Sequence, residues 1–254
     1  MFDKVINNVN QEIIDLWKEY AKMTDVDINT LLSPLIYHSE YPFLGQEGLL
    51  FVSLNPSFVE KEIRKILDQD KQISHYNPRS LFEWKYFEKT RDDIIKVESK
   101  MRDERKLHFK KIKYISDRLG CSNYANVDLF FYRQTEQNEI EKLFFKSKNV
   151  KKKNKDFSLE NDLTLFAQRQ LEHSKTLITE YIRPKIIVVA NTTASKIYYK
   201  KYDLGSLCQG GYYMSNLNGY KIPTILSRSF LYMETFKIES LIQQIKDIKL
   251  EKKC

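Results

Sequence analysis

Glycine and proline are scarce in this chain, 7 and 6 among 254 residues, which excludes a linker-rich or low-complexity protein. Cysteine is scarcer still. Cys121, Cys208 and Cys254 are too far apart for a disulfide framework or a zinc site, and they suit a reducing cytoplasm. No run approaches the roughly 18 apolar residues of a membrane span, and "MFDKVINNVNQEIIDLW" carries acids and amides where a signal peptide would be apolar. The expectation is a soluble cytoplasmic protein with no membrane partner. No internal repeat is visible. Walker A, GxGxxG, HExxH and Gly-x-Ser-x-Gly motifs are all missing, and His38, His75, His108 and His173 have no metal-ligand spacing. Neither a metal nor a cofactor is expected, and nothing in the pattern points to Ser-His-Asp or Cys-His chemistry.

What is present is aromatic, aliphatic and basic. Sixteen Tyr and 15 Phe stand within an apolar fraction of 42%, enough for a well-packed core. The formal charge of +8 favours polyanionic partners, and it is unevenly spread. Residues 96–118 carry nine Lys or Arg against four acids, and "KSKNVKKKNK" (146–155) has six Lys in ten positions and reads as a solvated loop.

Apolar spacing predicts an opening helix through Val5, Ile6, Val9, Ile13, Trp17 and Tyr20. Further helices are expected over 58–70, over 91–119 as one long basic helix, and from a cap at Ser158, with Glu160 and Asp162 in its first turn, to a stop before Pro184. "NTTASKIYYKKY" predicts a helix capped by Thr192 or Thr193, and another runs from about Thr235 to the C-terminus. Strands are predicted at "GLLFVSL" (48–54), "YANVDLFFY" (124–132), "KIIVVA" (185–190) and "IPTILS" (222–227). Strands alternating with helices indicate a three-layer α/β/α sandwich around a four-stranded parallel sheet, one domain over 1–254 with a helical basic insert at about 71–118 and a Lys-rich loop at about 146–156.

In such a sheet a ligand sits beyond the carboxyl ends of the strands. Those ends read "NPSF", "FYRQT", "NTTAS" and "SRSFLY". Asn55 has two readings. It can cap a helix with Pro56 at the first helical position. Alternatively its amide oxygen can hold a water for attack on a centre whose leaving group departs early, as in N-glycosidic hydrolysis, with Phe58 stacking on a planar ring.

These segments resemble the uracil-DNA glycosylase superfamily in order and spacing over about residues 45–240. "SLNPSF" is closest to the Asn-Pro first motif of the thymine- and mismatch-specific branch. "NVDLFF" and "RPKIIVVANTTASKIYY" resemble the family's following strands, and "IPTILSRSFLY" stands at its second motif, the loop pressed into the DNA minor groove. The resemblance implies Asn55 as the water-positioning residue and a base pocket drawn from Pro56, Ser57, Phe58 and either Asn126 or Asp128. It implies phosphate contacts from Ser227, Arg228 and Ser229, and Phe230 or Leu231 as the wedge that fills the place of the extruded nucleotide. "LNPS" with "NVDLFFYR" is also similar to an uncharacterised bacterial family with "LNPS" and "NLF-x-x-R" motifs, which adds Arg133. The other reading of Arg133 is an ion-pairing arginine.

The departures shape the expectation. Strict uracil enzymes carry Asp in place of Asn55 and a His in the second motif, where "LSRSFLY" has none, and the cysteine count excludes an iron–sulfur branch. Ser57 replaces a bulky Tyr that blocks substituents at pyrimidine C5. A small residue there suggests a modified or mismatched base, such as a hypermodified phage cytosine, and hence an antiviral or repair glycosylase. No lysine stands out as a Schiff-base nucleophile, so the expected enzyme is monofunctional and leaves an abasic site in duplex DNA. The alternatives are a non-catalytic nucleic-acid-binding or effector protein on the same fold, and an enzyme acting on nucleotides or other small glycosides.

Overall fold

The structure, a computed structural model, describes residues 2–23, 30–37, 48–104, 107–121, 124–135, 140, 144 and 163–251. In chain order these form α1 (Phe2–Tyr20), β1 (Leu49–Ser53), α2 (Glu60–Leu67), α3 (Pro78–Phe82), α4 (Phe87–Glu104), α5 (Leu107–Arg118), β2 (Tyr124–Asp128), α6 (Leu165–Thr176), β3 (Ile186–Ala190), α7 (Thr192–Lys201), β4 (Leu204–Leu207), β5 (Tyr213–Leu217), β6 (Tyr220–Ser227) and α8 (Thr235–Glu251). The Lys-rich loop and the proposed cap at Ser158, Glu160 and Asp162 lie outside the described residues.

The chain, read from its sequence as one domain, groups into two compact units that interleave along the sequence. One comprises Met1–Tyr41, Asn55–Lys106 and Phe130–His173. The other comprises Pro42–Leu54, Leu107–Leu129 and Ser174–Cys254.

The second unit holds the whole sheet, in the order β2-β1-β3-β6-β5-β4. The first four strands run parallel and in register, with Ser53 opposite Asp128, Val52 opposite Val189 and Ala190 opposite Ser227. Their sequences are continuous apolar runs because both faces are covered. Leu49, Phe51, Ile186, Val188 and Ile225 pack with Ile112 and Ile115 of α5 and with Ile238, Leu241, Ile242 and Ile245 of α8. The alternate residues Leu50, Val52, Ile187 and Val189 are buried as well, and α7 packs on β3 and β6. Each such side chain contributes about 1.5–3 kcal/mol by leaving water.

The sheet is mixed and six-stranded, two strands more than the sequence reading expected. β5 and β4 extend it antiparallel from β6. The β5–β6 hairpin turns at Asn218 and Gly219, both at positive φ (52° and 85°), as a tight Asn-Gly turn requires. The cap of α7 is also corrected. Asn191, not Thr192 or Thr193, accepts from the backbone N–H groups of Thr193 and Ala194 at 2.8 and 3.0 Å.

In the first unit α1 buries Ile6, Val9, Ile13 and Trp17, and the Trp17 indole donates to the Leu32 carbonyl at 2.9 Å. Asn10 exchanges two hydrogen bonds with the backbone of Tyr37. Tyr20 stacks on Phe166 with ring centres 3.7 Å apart. Of the basic helix expected over 91–119, helical residues are described over Phe87–Glu104 in the first unit and over Leu107–Arg118 in the second, and residues 105–106 lie outside the described residues. The chain of α6 runs on through a π-helical turn at Leu177–Ile182 to a left-handed Arg183 (φ 48°), just before Pro184 as expected.

Candidate functional site

The residues nominated from sequence fall into both units: Asn55, Pro56, Ser57, Phe58 and Arg133 in the first, and Asn126, Asp128 and 227–231 in the second.

In the first unit Asn55 caps no helix. α2 begins at Glu60 with Val59 at its N-cap, and no side chain caps it. The Asn55 amide nitrogen is instead held by three backbone carbonyls, those of Pro56 at 3.0 Å, Tyr132 at 3.3 Å and Gln134 at 2.6 Å. Carbonyl oxygens only accept, so the amide is oriented with nitrogen toward them and oxygen away. No described residue donates to Asn55 Oδ1. Two further contacts tie the same segments. Gln134 N–H donates to the Pro56 carbonyl at 3.1 Å, and the Thr135 hydroxyl bridges the backbone N–H and carbonyl of Phe58. Ser57 is half-buried. The half-buried Phe58 ring packs edge-on against Phe82, centres 5.5 Å apart.

Arg133, expected in the base pocket, takes its other reading. It is buried, donates from Nε to the Ser33 carbonyl (2.9 Å) and from Nη2 to the Pro34 carbonyl (3.1 Å), and pairs with the buried Glu98. Its guanidinium lies 4.9 Å from the Phe82 ring centre. Tyr132 lies beside it in the chain, and burial pushes its phenol up.

In the second unit the carboxyl ends of β1, β2, β3 and β6 line up. Asn126 and Asp128 are both buried on β2, which ends at Asp128, so "FFYR" lies beyond the strand. Ser195 of α7 donates to the Ser227 carbonyl at 3.0 Å and steadies the end of β6. Arg228 is exposed, and Ser227 and Ser229 are half-buried. A 3₁₀ turn follows at Phe230–Tyr232, and its three residues per turn send consecutive side chains in different directions. Phe230 is 0% exposed, edge-on to Phe51 at 5.7 Å, whereas Leu231 is 47% and Tyr232 87% exposed. Phe230 is therefore corrected from wedge to core residue. The Lys111 ammonium fixes this turn by donating to the carbonyls of Phe230 (2.7 Å), Leu231 (3.2 Å) and Met233 (2.9 Å). Sequence reasoning passed over Tyr232, the last letter of its own "SRSFLY" motif.

Among the described residues, the basic run 96–118 holds most of its cations in pairs or hydrogen bonds. Lys96 pairs with Asp93, Lys100 with Asp70, Lys113 with Asp117 and Arg118 with Glu239, and Lys111 serves the turn just described. The Tyr114 hydroxyl and Arg118 guanidinium hold the Glu239 carboxyl below the usual carboxylate range. Lys110 is exposed and makes no ion pair with a described residue.

Among the described residues no group of three His, Cys, Asp or Glu side chains is gathered as metal ligands, and no helix is long and apolar enough to cross a membrane. No family model and no curated protein matches the chain.

Proposed function

We propose that this chain is a DNA glycosylase, with a three-layer fold of the uracil-DNA glycosylase type, that hydrolyses the N-glycosidic bond of a flipped, modified or mismatched base. The observation that carries this reading is the Asn55 amide, whose nitrogen is held by three carbonyls while no described residue donates to its oxygen. In N-glycosidic hydrolysis the sugar becomes cationic before water attacks, so the water needs placing more than deprotonating. An acceptor of fixed direction does that: Oδ1 takes one water hydrogen and leaves an oxygen lone pair for C1′. In the first unit Ser57, small and half-buried, is the side-chain type that suits a base with a C5 substituent. In the second unit exposed Arg228 is of the type that contacts phosphate, and exposed Leu231 and Tyr232 of the type that inserts into a base stack.

The test is a panel of duplexes carrying uracil, a thymine mismatch, and hydroxymethylated or glucosylated cytosine, scored for abasic sites by alkaline strand cleavage. Asn55→Ala is expected to lower the rate about 100-fold or more while DNA binding stays within about threefold. The three carbonyl contacts also suit a loop clamp in a non-catalytic nucleic-acid-binding protein. That second reading takes over if the wild type makes no abasic site on any duplex.

A further inference from the structure

The carboxyl ends of β1 and β2 carry a hydrogen-bonded trio in the second unit. Ser53 Oγ lies 3.1 Å from His108 Nε2 and 3.3 Å from Asn126 Oδ1. Strand alternation puts Ser53 on the same face as Leu49 and Phe51, and Asn126 stands opposite Phe51 in register. His108 of α5 stacks on Phe230 with ring centres 5.7 Å apart at 25°, so the core fixes the imidazole in place.

The serine has one hydroxyl hydrogen and two neighbours able to accept it, the Asn126 oxygen and an unprotonated His108 Nε2. Asn126 Oδ1 can only accept, its residue is 4% exposed, and Ser53 is the one described residue that donates to it. An amide oxygen buried without a donor costs about 1–3 kcal/mol. An imidazole nitrogen adapts by changing tautomer. Both contacts are satisfied together when Ser53 donates to Asn126 and His108 Nε2–H donates to Ser53. The reverse arrangement, a bare Nε2 accepting the serine hydrogen, would make a nucleophile and its base and would set a serine lone pair against Asn126 Oδ1.

With its oxygen engaged, the Asn126 amide turns its nitrogen away from Ser53, and that nitrogen donates to no described residue. We propose that His108 and Ser53 are positioning residues that hold Asn126 with two N–H donors presented to a ligand, so the ligand group it meets is a hydrogen-bond acceptor, a keto oxygen or an unprotonated ring nitrogen. The ligand half of this inference rests on the glycosylase reading, under which that group lies on the edge of the flipped base. The orientation half does not.

Nitrogen-resolved NMR of the free protein at about pH 8, above the ordinary histidine range, tests it. His108 is assigned with His108→Gln. The expected spectrum shows the neutral Nε2–H tautomer of His108. Ser53→Ala is expected to shift both this signal and the Asn126 side-chain NH2 pair, while Ser53→Thr, which keeps the hydroxyl, restores both. Uracil added as a free base is expected to move the Asn126 pair in the wild type. A His108 with Nδ1–H and bare Nε2 overturns the inference and marks Ser53 as a nucleophile. An Asn126 pair indifferent to Ser53→Ala, or to bound uracil, overturns it as well. Failure of uracil to bind counts against the base site alone, because tautomer and amide orientation are read without any ligand.

Discussion

The Asn55 amide nitrogen meets the Gln134 carbonyl oxygen at 2.6 Å, the shortest of its three bonds to backbone carbonyls. This contact joins the turn after β1 to a segment some eighty positions along the chain. It makes asparagine, and not aspartate, the residue this loop requires. A carboxylate has no N–H to give and would set two anionic oxygens against three carbonyl oxygens.

Asn55→Asp is therefore expected to destabilise the protein by about 1–3 kcal/mol. The measurement is urea unfolding, with a lower midpoint at an unchanged slope. An aspartate variant as stable as the wild type would show that the three bonds contribute little.

The chain contains two Asn-Pro pairs, and they show where sequence reading stops. At Asn77-Pro78 the asparagine oxygen accepts from Arg79 N–H at 2.9 Å, and the proline opens α3. At Asn55-Pro56 the chain stays outside helical structure until Glu60, and the same amide bonds through its nitrogen instead. The dipeptide is identical, so only the following φ/ψ values and a distant partner segment decide its use. The four parallel strands were legible because burial on both faces leaves an unbroken apolar run. β4 was not, since three of its four residues are exposed, although Asn218-Gly219 does signal the β5–β6 turn. Ser53, His108 and Asn126 come from three separate elements, and no local pattern could have joined them.

The buried pair of Arg133 and Glu98 gives a second prediction. Glu98 Oε2 has no hydrogen-bond partner among the described residues, and Arg133 is held by two carbonyls besides Glu98. Removing one charge strands the other in the interior. Glu98→Leu and Arg133→Met are each expected to cost about 3–5 kcal/mol, and the double variant clearly less than their sum. Thermal or urea unfolding of the four proteins completes the cycle. Strict additivity would mean the two charges do not interact.

Alkaline pH should expose two particular tyrosines. Tyr198 and Tyr202 stack at 4.1 Å in the second unit, and burial pushes both phenols well above their ordinary value, Tyr202 beside Tyr198 adding to the effect there. A raised folded-state pKa favours the neutral form. Its contribution is complete below the unfolded value of about 10 and is lost as pH climbs from there toward the folded value. Both are expected to ionise only as the fold opens. Phenolate absorbance followed alongside circular dichroism checks this. Their substitution by Phe should reduce the late, unfolding-linked part of the titration, and a titration of all tyrosines before any loss of structure would contradict it.

The contrast between buried Phe230 and exposed Tyr232 supplies the last prediction. Phe230 is packed between Phe51 and His108, and its backbone carbonyl is one of three held by Lys111. Turning that ring outward would empty its place in the core. Tyr232, almost wholly exposed on the same turn, needs no such rearrangement to meet a base. Phe230→Ala is thus expected to cost about 3–5 kcal/mol of stability. Tyr232→Ala should leave stability within about 0.5 kcal/mol and weaken binding to a mismatched duplex about tenfold or more, the loss of one stacked base. Melting curves and fluorescence anisotropy separate the two effects. If Tyr232→Ala binds as the wild type does, the turn makes no aromatic contact with DNA. If Phe230→Ala leaves stability intact, its ring is free to leave the core, and it returns as the candidate for insertion.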